Sequence, residues 1–128
     1  MKSRHLMALL VIMACDDATP LPVTIGTVSL SAAERSAWPA APRVTSGFSV
    51  ITIEGLVSPA CSAPAGHAER KGSEVSLWID VPGASNACPA VLIRDQPYRA
   101  VMYLEPGQYQ FQVSVRGNAA YDIPVAVP

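Results

Sequence analysis

The sequence predicts an all-β fold, an antiparallel sandwich of about seven strands, on three observations. Apolar residues recur at every second position through several short runs, the period of a strand with one buried face. Twelve prolines and eight glycines punctuate these runs within 128 residues, and such residues break helices and form turns. Runs of good helix formers are few.

The first segment is of another kind. Lys2 and Arg4 precede an apolar run, Leu6 to Ala14, which stops at Cys15 and is followed at once by Asp16 and Asp17. A membrane-spanning helix needs about 20 apolar residues, roughly twice this run, so the segment reads as a cleaved export signal. Ile12-Met13-Ala14-Cys15 resembles the lipobox of bacterial lipoproteins, with Met13 standing where small or hydroxyl residues are commoner. The resemblance implies cleavage before Cys15 and acylation of that cysteine. Several acyl chains hold a protein stably on a membrane where one chain binds only marginally. The alternative is an ordinary signal peptide cut nearby, with Cys15 left as a plain thiol. The expected division is a signal peptide over residues 1–14, a lipidated cysteine and proline-bearing tether over 15–22, and a single domain over 23–128. The expected location is the bacterial cell envelope, lipid-anchored on a periplasmic or outer membrane face.

Beyond the tether, Val23 to Leu30 reads as a first strand. Ser31-Ala32-Ala33-Glu34 has capping-box form and predicts one or two helical turns that Pro39 ends; otherwise residues 31–46 are a loop carrying Trp38. Phe48 to Val57 is rich in β-branched residues, with Ile51, Ile53 and Val57 on one face. Val75, Leu77, Ile79 and Val81 alternate with Ser76, Trp78 and Asp80, and Lys71-Gly72-Ser73 turns that strand back on residues 64–70. Three more strands follow: Tyr98 to Leu104, Gln108 to Val115 and Tyr121 to Val127. Pro124 confines the last to an edge or a bulge, because it cannot donate to a ladder. Tyr98, Tyr109 and Phe111 are candidate core residues, while Arg99 and Arg116 are expected as outer-face charges that guard against edge pairing.

Leu104-Glu105-Pro106-Gly107-Gln108-Tyr109-Gln110-Phe111 resembles the L-x-P-G-x-Y corner of immunoglobulin-like, fibronectin-III-like and transthyretin-like domains. The resemblance implies a tight Pro-Gly turn and a Tyr109 hydroxyl bonded back to the preceding backbone. Phe111 stands where a true immunoglobulin domain has cysteine, and the strand around Ile51 and Ile53 has none, so the usual disulfide between sheets is absent. The corner speaks for fold rather than function.

Composition excludes more than it assigns. Lys2 and Arg4 fall in the signal and every acid lies beyond it, so seven basic residues meet ten acidic ones, a net charge of −3. A dispersed, mildly acidic surface argues against nucleic acid, whose phosphates need a basic stripe, and against a polybasic membrane patch. Cys61 and Cys88 form an even pair in an exported domain and read as a disulfide. Closing a loop of about 27 residues would stabilise the fold by roughly 3.5 kcal/mol in the chain-entropy model.

No catalytic residues, metal site or cofactor are predicted. His67 is the one histidine after the signal, which rules out a His-rich metal site within a monomer. His67 and Glu69 share a strand face as positions i and i+2 do, the usual arrangement of solvated surface. Neither a G-x-S-x-G elbow nor a phosphate or dinucleotide loop occurs. Trp78, Val101 and Tyr103 lie opposite the inferred core faces of their strands and are the candidate binding residues, since outward aromatics often anchor interfaces. The expected function is a non-enzymatic, membrane-anchored envelope module contacting an envelope protein or glycan. The alternative is an inhibitor of an envelope protease or cell-wall enzyme, acting through a Cys61–Cys88-stapled loop over residues 58–66 or 83–90.

Overall fold

The computed structural model describes residues 17–60, 63–81, 94–116 and 120–128. Nine strands and one short helix are formed by these residues: β1 (Thr19–Leu21), β2 (Thr24–Thr27), α1 (Ala32–Ala37), β3 (Arg43–Ser46), β4 (Val50–Ala60), β5 (Ala65–Lys71), β6 (Glu74–Asp80), β7 (Arg94–Tyr103), β8 (Gly107–Val115) and β9 (Tyr121–Val127). They build a five-stranded sheet in the order β1-β5-β6-β8-β9 and a four-stranded sheet in the order β2-β7-β4-β3. The fold is therefore all-β and sandwich-like, with nine strands instead of the expected seven.

The two additional strands, of three and four residues, are among the shortest. β3 lies inside the segment expected to be helix and loop, and β1 lies inside the expected tether, where Thr19 pairs with Arg70 and Leu21 with Ala68. Runs of three and four residues are too brief to display alternation. Both occupy sheet edges, and Pro20 is tolerated in β1 because an edge strand need not donate on both sides. The chain crosses from one sheet to the other between Leu21 and Thr24, so its first residues hold both layers together.

Strand pairing also differs from the antiparallel expectation at one place. β6 and β8 run parallel, Val75 opposite Phe111 and Ile79 opposite Val115. The cause is connectivity: β7, the strand between them in sequence, belongs to the other sheet, so the chain reverses twice before rejoining β6. The remaining pairs are antiparallel.

Alternation decides what lies between the layers. Ile51, Ile53, Val57, Tyr98, Ala100 and Met102 from the four-stranded sheet meet Val75, Leu77, Ile79, Phe111, Val113 and Val115 from the five-stranded one. Each such large side chain contributes about 1.5–3 kcal/mol by leaving water. Tyr98 is wholly buried and its hydroxyl has no hydrogen-bond partner among the described residues. Burial pushes its ionisation above the ordinary tyrosine range. Its ring lies over Gly55, where a Cβ would come within 2.7 Å of the hydroxyl.

The Leu104–Phe111 corner closes as the resemblance implies: the Tyr109 hydroxyl donates to the Glu105 carbonyl at 2.7 Å. Arg70 adds a clamp, with two hydrogen bonds to the Glu105 carboxylate at 2.8 and 2.5 Å and its guanidinium 5.3 Å from the centre of the Tyr109 ring. The Arg70 hydrogen bond is the main reason the Glu105 carboxyl is held down to about 2. The β5–β6 hairpin forms around Gly72, whose φ of 60° suits the first position of a two-residue turn. β9 is an edge strand, as Pro124 requires.

Candidate functional site

The outward faces of the two sheets are built differently. On the four-stranded face, Glu54 from β4 lies between Arg43 of β3 and Arg99 of β7, its register neighbours. Arg43 Nη2 is 3.1 Å from Glu54 Oε1, and Arg99 binds Oε2 through Nη2 at 2.7 Å and Nε at 2.8 Å. Burial would raise the Glu54 carboxyl, but the hydrogen bonds from Arg99 and Arg43 outweigh it and hold the group below its ordinary value.

A local element then covers this cluster. Ser31 and Glu34 make the reciprocal capping box that starts α1, and Trp38 is its C-cap. The Trp38 indole donates to the Gly55 carbonyl at 2.9 Å, just past Glu54 where β3 stops pairing with β4. The Arg99 guanidinium sits 5.5 Å from the Trp38 ring centre, a cation–π contact. Arg99 is thus an outer-face charge, as expected, but in an interior strand and bound to Glu54 through Nε and Nη2.

The five-stranded face carries an aromatic pair instead. His67 of β5 and Trp78 of β6 are register partners, and their rings stack with centroids 4.6 Å apart and planes 18° from parallel. His67 is exposed and Trp78 half-buried. On the other side of Trp78 stands Ser114 of β8, too small to cover an indole. Next along the face come Glu69, Ser76, Gln112 and Asp122, one row across four strands. Beyond them Glu74, Ser76, Gln110, Gln112 and Asp122 line a depression of about 160 Å³.

This row is a set of hydrogen-bonding groups on a rigid frame. Each glutamine offers two donors and an acceptor, each carboxylate accepts, and serine does both. Charge on this part of the face is acidic, with Glu69, Glu74 and Asp122 against Lys71, the register partner of Glu74. A second depression of about 160 Å³ lies where Pro42, Leu56, Ser58, Asp95, Val115 and Tyr121 meet, with Ser58, Asp95 and Tyr121 as its polar side chains.

The sequence-predicted binding residues do not form one site. Trp78 belongs to the five-stranded face, while Val101 and Tyr103 project from the other sheet, beside Thr24, Thr52 and Val50. Val101 is half-buried, and Tyr103 is 68% exposed at the end of β7. The partner sequence reasoning missed is His67. Its pairing with Trp78 follows by counting back from the two-residue turn, because Lys71 opposite Glu74 sets His67 opposite Trp78.

Cys15, Cys61 and Cys88 lie outside the described residues, as do residues 1–14. The loop over 83–90 and part of that over 58–66, which carry the stapled-loop alternative, lie there too. Among the described residues, no group of three or more His, Cys, Asp or Glu side chains is placed to hold a metal ion. No helix among them is long and apolar enough to cross a membrane.

No protein-family model matches the chain, and no curated protein or solved structure matches it either. Among the described residues, the chain forms an all-β, sandwich-like pair of sheets with one outer face bearing the Arg43–Glu54–Arg99 cluster beside Trp38 and one polar outer face bearing an aromatic pair.

Proposed function

We infer that the chain is an exported bacterial lipoprotein, acylated at Cys15, whose sandwich is a non-enzymatic recognition module for envelope glycan. The observation that carries the reading is the His67–Trp78 stack beside the Gln110, Gln112, Ser76 and Asp122 groove. A half-exposed aromatic pair suits the apolar side of a sugar ring, and planar amides and carboxylates suit its hydroxyls. The acidic balance of the face disfavours an anionic polymer and leaves neutral or amino sugars as the favoured class. The apolar run ending at the lipobox-like Ile12–Cys15 supports the address.

Binding is measured with the full chain, purified in detergent from expressing cells, against N-acetylglucosamine oligomers and neutral envelope polysaccharide. The expected result is a change in tryptophan emission on addition of glycan that Trp78→Ala abolishes and Trp38→Phe preserves. Unchanged emission with every glycan, together with capture of one dominant envelope protein by crosslinking, would replace glycan with protein as the partner.

A further inference from the structure

We propose that the end of the sandwich at which β1 begins is itself a membrane-contacting surface, with Phe48 inserted among the lipid headgroups. The inference rests on the lipoprotein reading above and goes beyond it, since an acyl anchor alone does not fix how a domain lies on the bilayer.

The chain path places that end. β1 begins at Thr19 opposite Arg70, next to the β5–β6 turn. Thr19 is four residues on from Cys15, and a fully extended chain spans at most about 14 Å over that length. The headgroup region of one leaflet is about 5–8 Å thick. A domain tethered so closely meets the bilayer with the face from which its chain emerges.

Register identifies the other segments at this end. β4 begins there at Val50, opposite Tyr103, the last residue of β7. The β3–β4 turn, residues 47–49, and the Glu105–Gly107 corner therefore lie at the same pole of the sandwich as the β5–β6 turn, with β3 stacked on the β9 side and β1 at the opposite edge. At that pole stand the two most exposed large hydrophobic side chains among the described residues, Phe48 at 92% and Tyr103 at 68%.

Phe48 is held out rather than left loose. Gly47 N–H donates to the Val50 carbonyl at 2.9 Å, and Leu104 N–H donates to the Ser49 carbonyl at 3.0 Å. Ser49 takes φ 61°, a conformation that non-glycine residues adopt only where the surroundings fix it. A pinned turn with a bare phenyl at its tip has no role in the core. Aromatic side chains partition to the bilayer interface, and Tyr103 beside it presents an apolar ring with a polar tip suited to the same depth. The His67–Trp78 pair lies on the outer sheet face, about 13 Å up β6 from Glu74, so contact at the pole leaves the recognition face free.

The test compares the wild type with a Phe48→Trp variant, both full-length and processed in cells. Each is reconstituted into phosphatidylethanolamine–phosphatidylglycerol vesicles, with and without brominated acyl chains. Trp38 and Trp78 lie well away from the pole, so the wild type supplies the background. The expected result is that the emission added by the new indole is blue-shifted and lost in brominated vesicles, with wild-type emission unaffected. An added emission that stays at the wavelength of hydrated indole and is not quenched, in protein that floats with the vesicles, overturns the docked pole and leaves the anchor standing. Failure of the wild type to float, matched by a Cys15→Ser form, overturns both the anchor and the pole.

Discussion

The two outward faces share a backbone pattern and differ in what their side chains do. On the four-stranded face, charge is consumed internally: Glu54 binds two arginines, and Trp38 covers one of them. On the five-stranded face, Gln110, Gln112, Ser76 and Asp122 line a depression, and Trp78 stacks against an exposed histidine. A sandwich needs neither outer face to hold its layers together, since the core lies between them. The first face therefore reads as reinforcement and the second as a surface kept open for a ligand.

The largest effect expected is at Gly66, which lies beneath the aromatic pair. A Cβ there collides with the Trp78 carbonyl oxygen and presses within 3.0 Å of the Ile25 side chain. Gly66→Ala is expected to cost about 3 kcal/mol in a chemical melt and to disturb glycan binding as well, because β6 must move. A neutral result would mean that the close approach of β5 and β6 is not needed for either property.

Next come the two tryptophans, which separate the faces. Trp38→Ala removes a half-buried ring and the indole hydrogen bond to Gly55, for an expected loss of about 2 kcal/mol with ligand binding retained. Trp78→Ala is expected to cost about 1 kcal/mol or less and to abolish binding. Reversal of this pattern in paired melting and binding experiments would exchange the roles of the two faces.

Acid should dissect the charged groups with the smallest effects. Glu54 and Glu105 both sit below the ordinary glutamate value of 4.5 in the fold. A carboxyl depressed in the native state stabilises it above the unfolded value, and that contribution is lost as pH falls through the native value. Thermal stability should therefore decline from about pH 4.5 downward, with the Glu105 share persisting until about pH 2. The Glu54→Gln variant should show a shallower decline with its loss moved to neutral pH. An identical acid profile in wild type and variant would mean that the Arg43–Glu54–Arg99 cluster adds nothing to stability.

Much of this architecture was readable from residue pattern. Alternation placed Leu77, Ile79, Met102 and Leu104 inward, the capping box at Ser31 and Glu34 started the helix, and Pro124 assigned β9 to an edge. The corner at Pro106-Gly107 foretold the Tyr109 hydrogen bond. Strands β1 and β3 were hidden because three or four residues carry no period and depend on pairing with distant partners. The parallel pairing of β6 with β8 was hidden for a related reason, as it follows from which sheet β7 joins. Trp78 was legible as an outward residue, and its stacking partner His67 was available from the Gly72 turn. What alternation does not encode is which outward face a residue joins, so Trp78 and Tyr103 appeared alike while lying on opposite sides of the molecule.

The proposed function requires the five-stranded face to be where the module meets its ligand. A photo-crosslinking residue placed at Gln112 in one form of the full chain and at Thr52 in another, irradiated in intact envelopes, addresses this without intermediaries. An adduct, glycan or protein by its mobility and composition, is expected at position 112 alone and lost on Trp78→Ala. Adducts at position 52 that persist without Trp78 would contradict this and assign recognition to the face bearing Glu54 and Trp38.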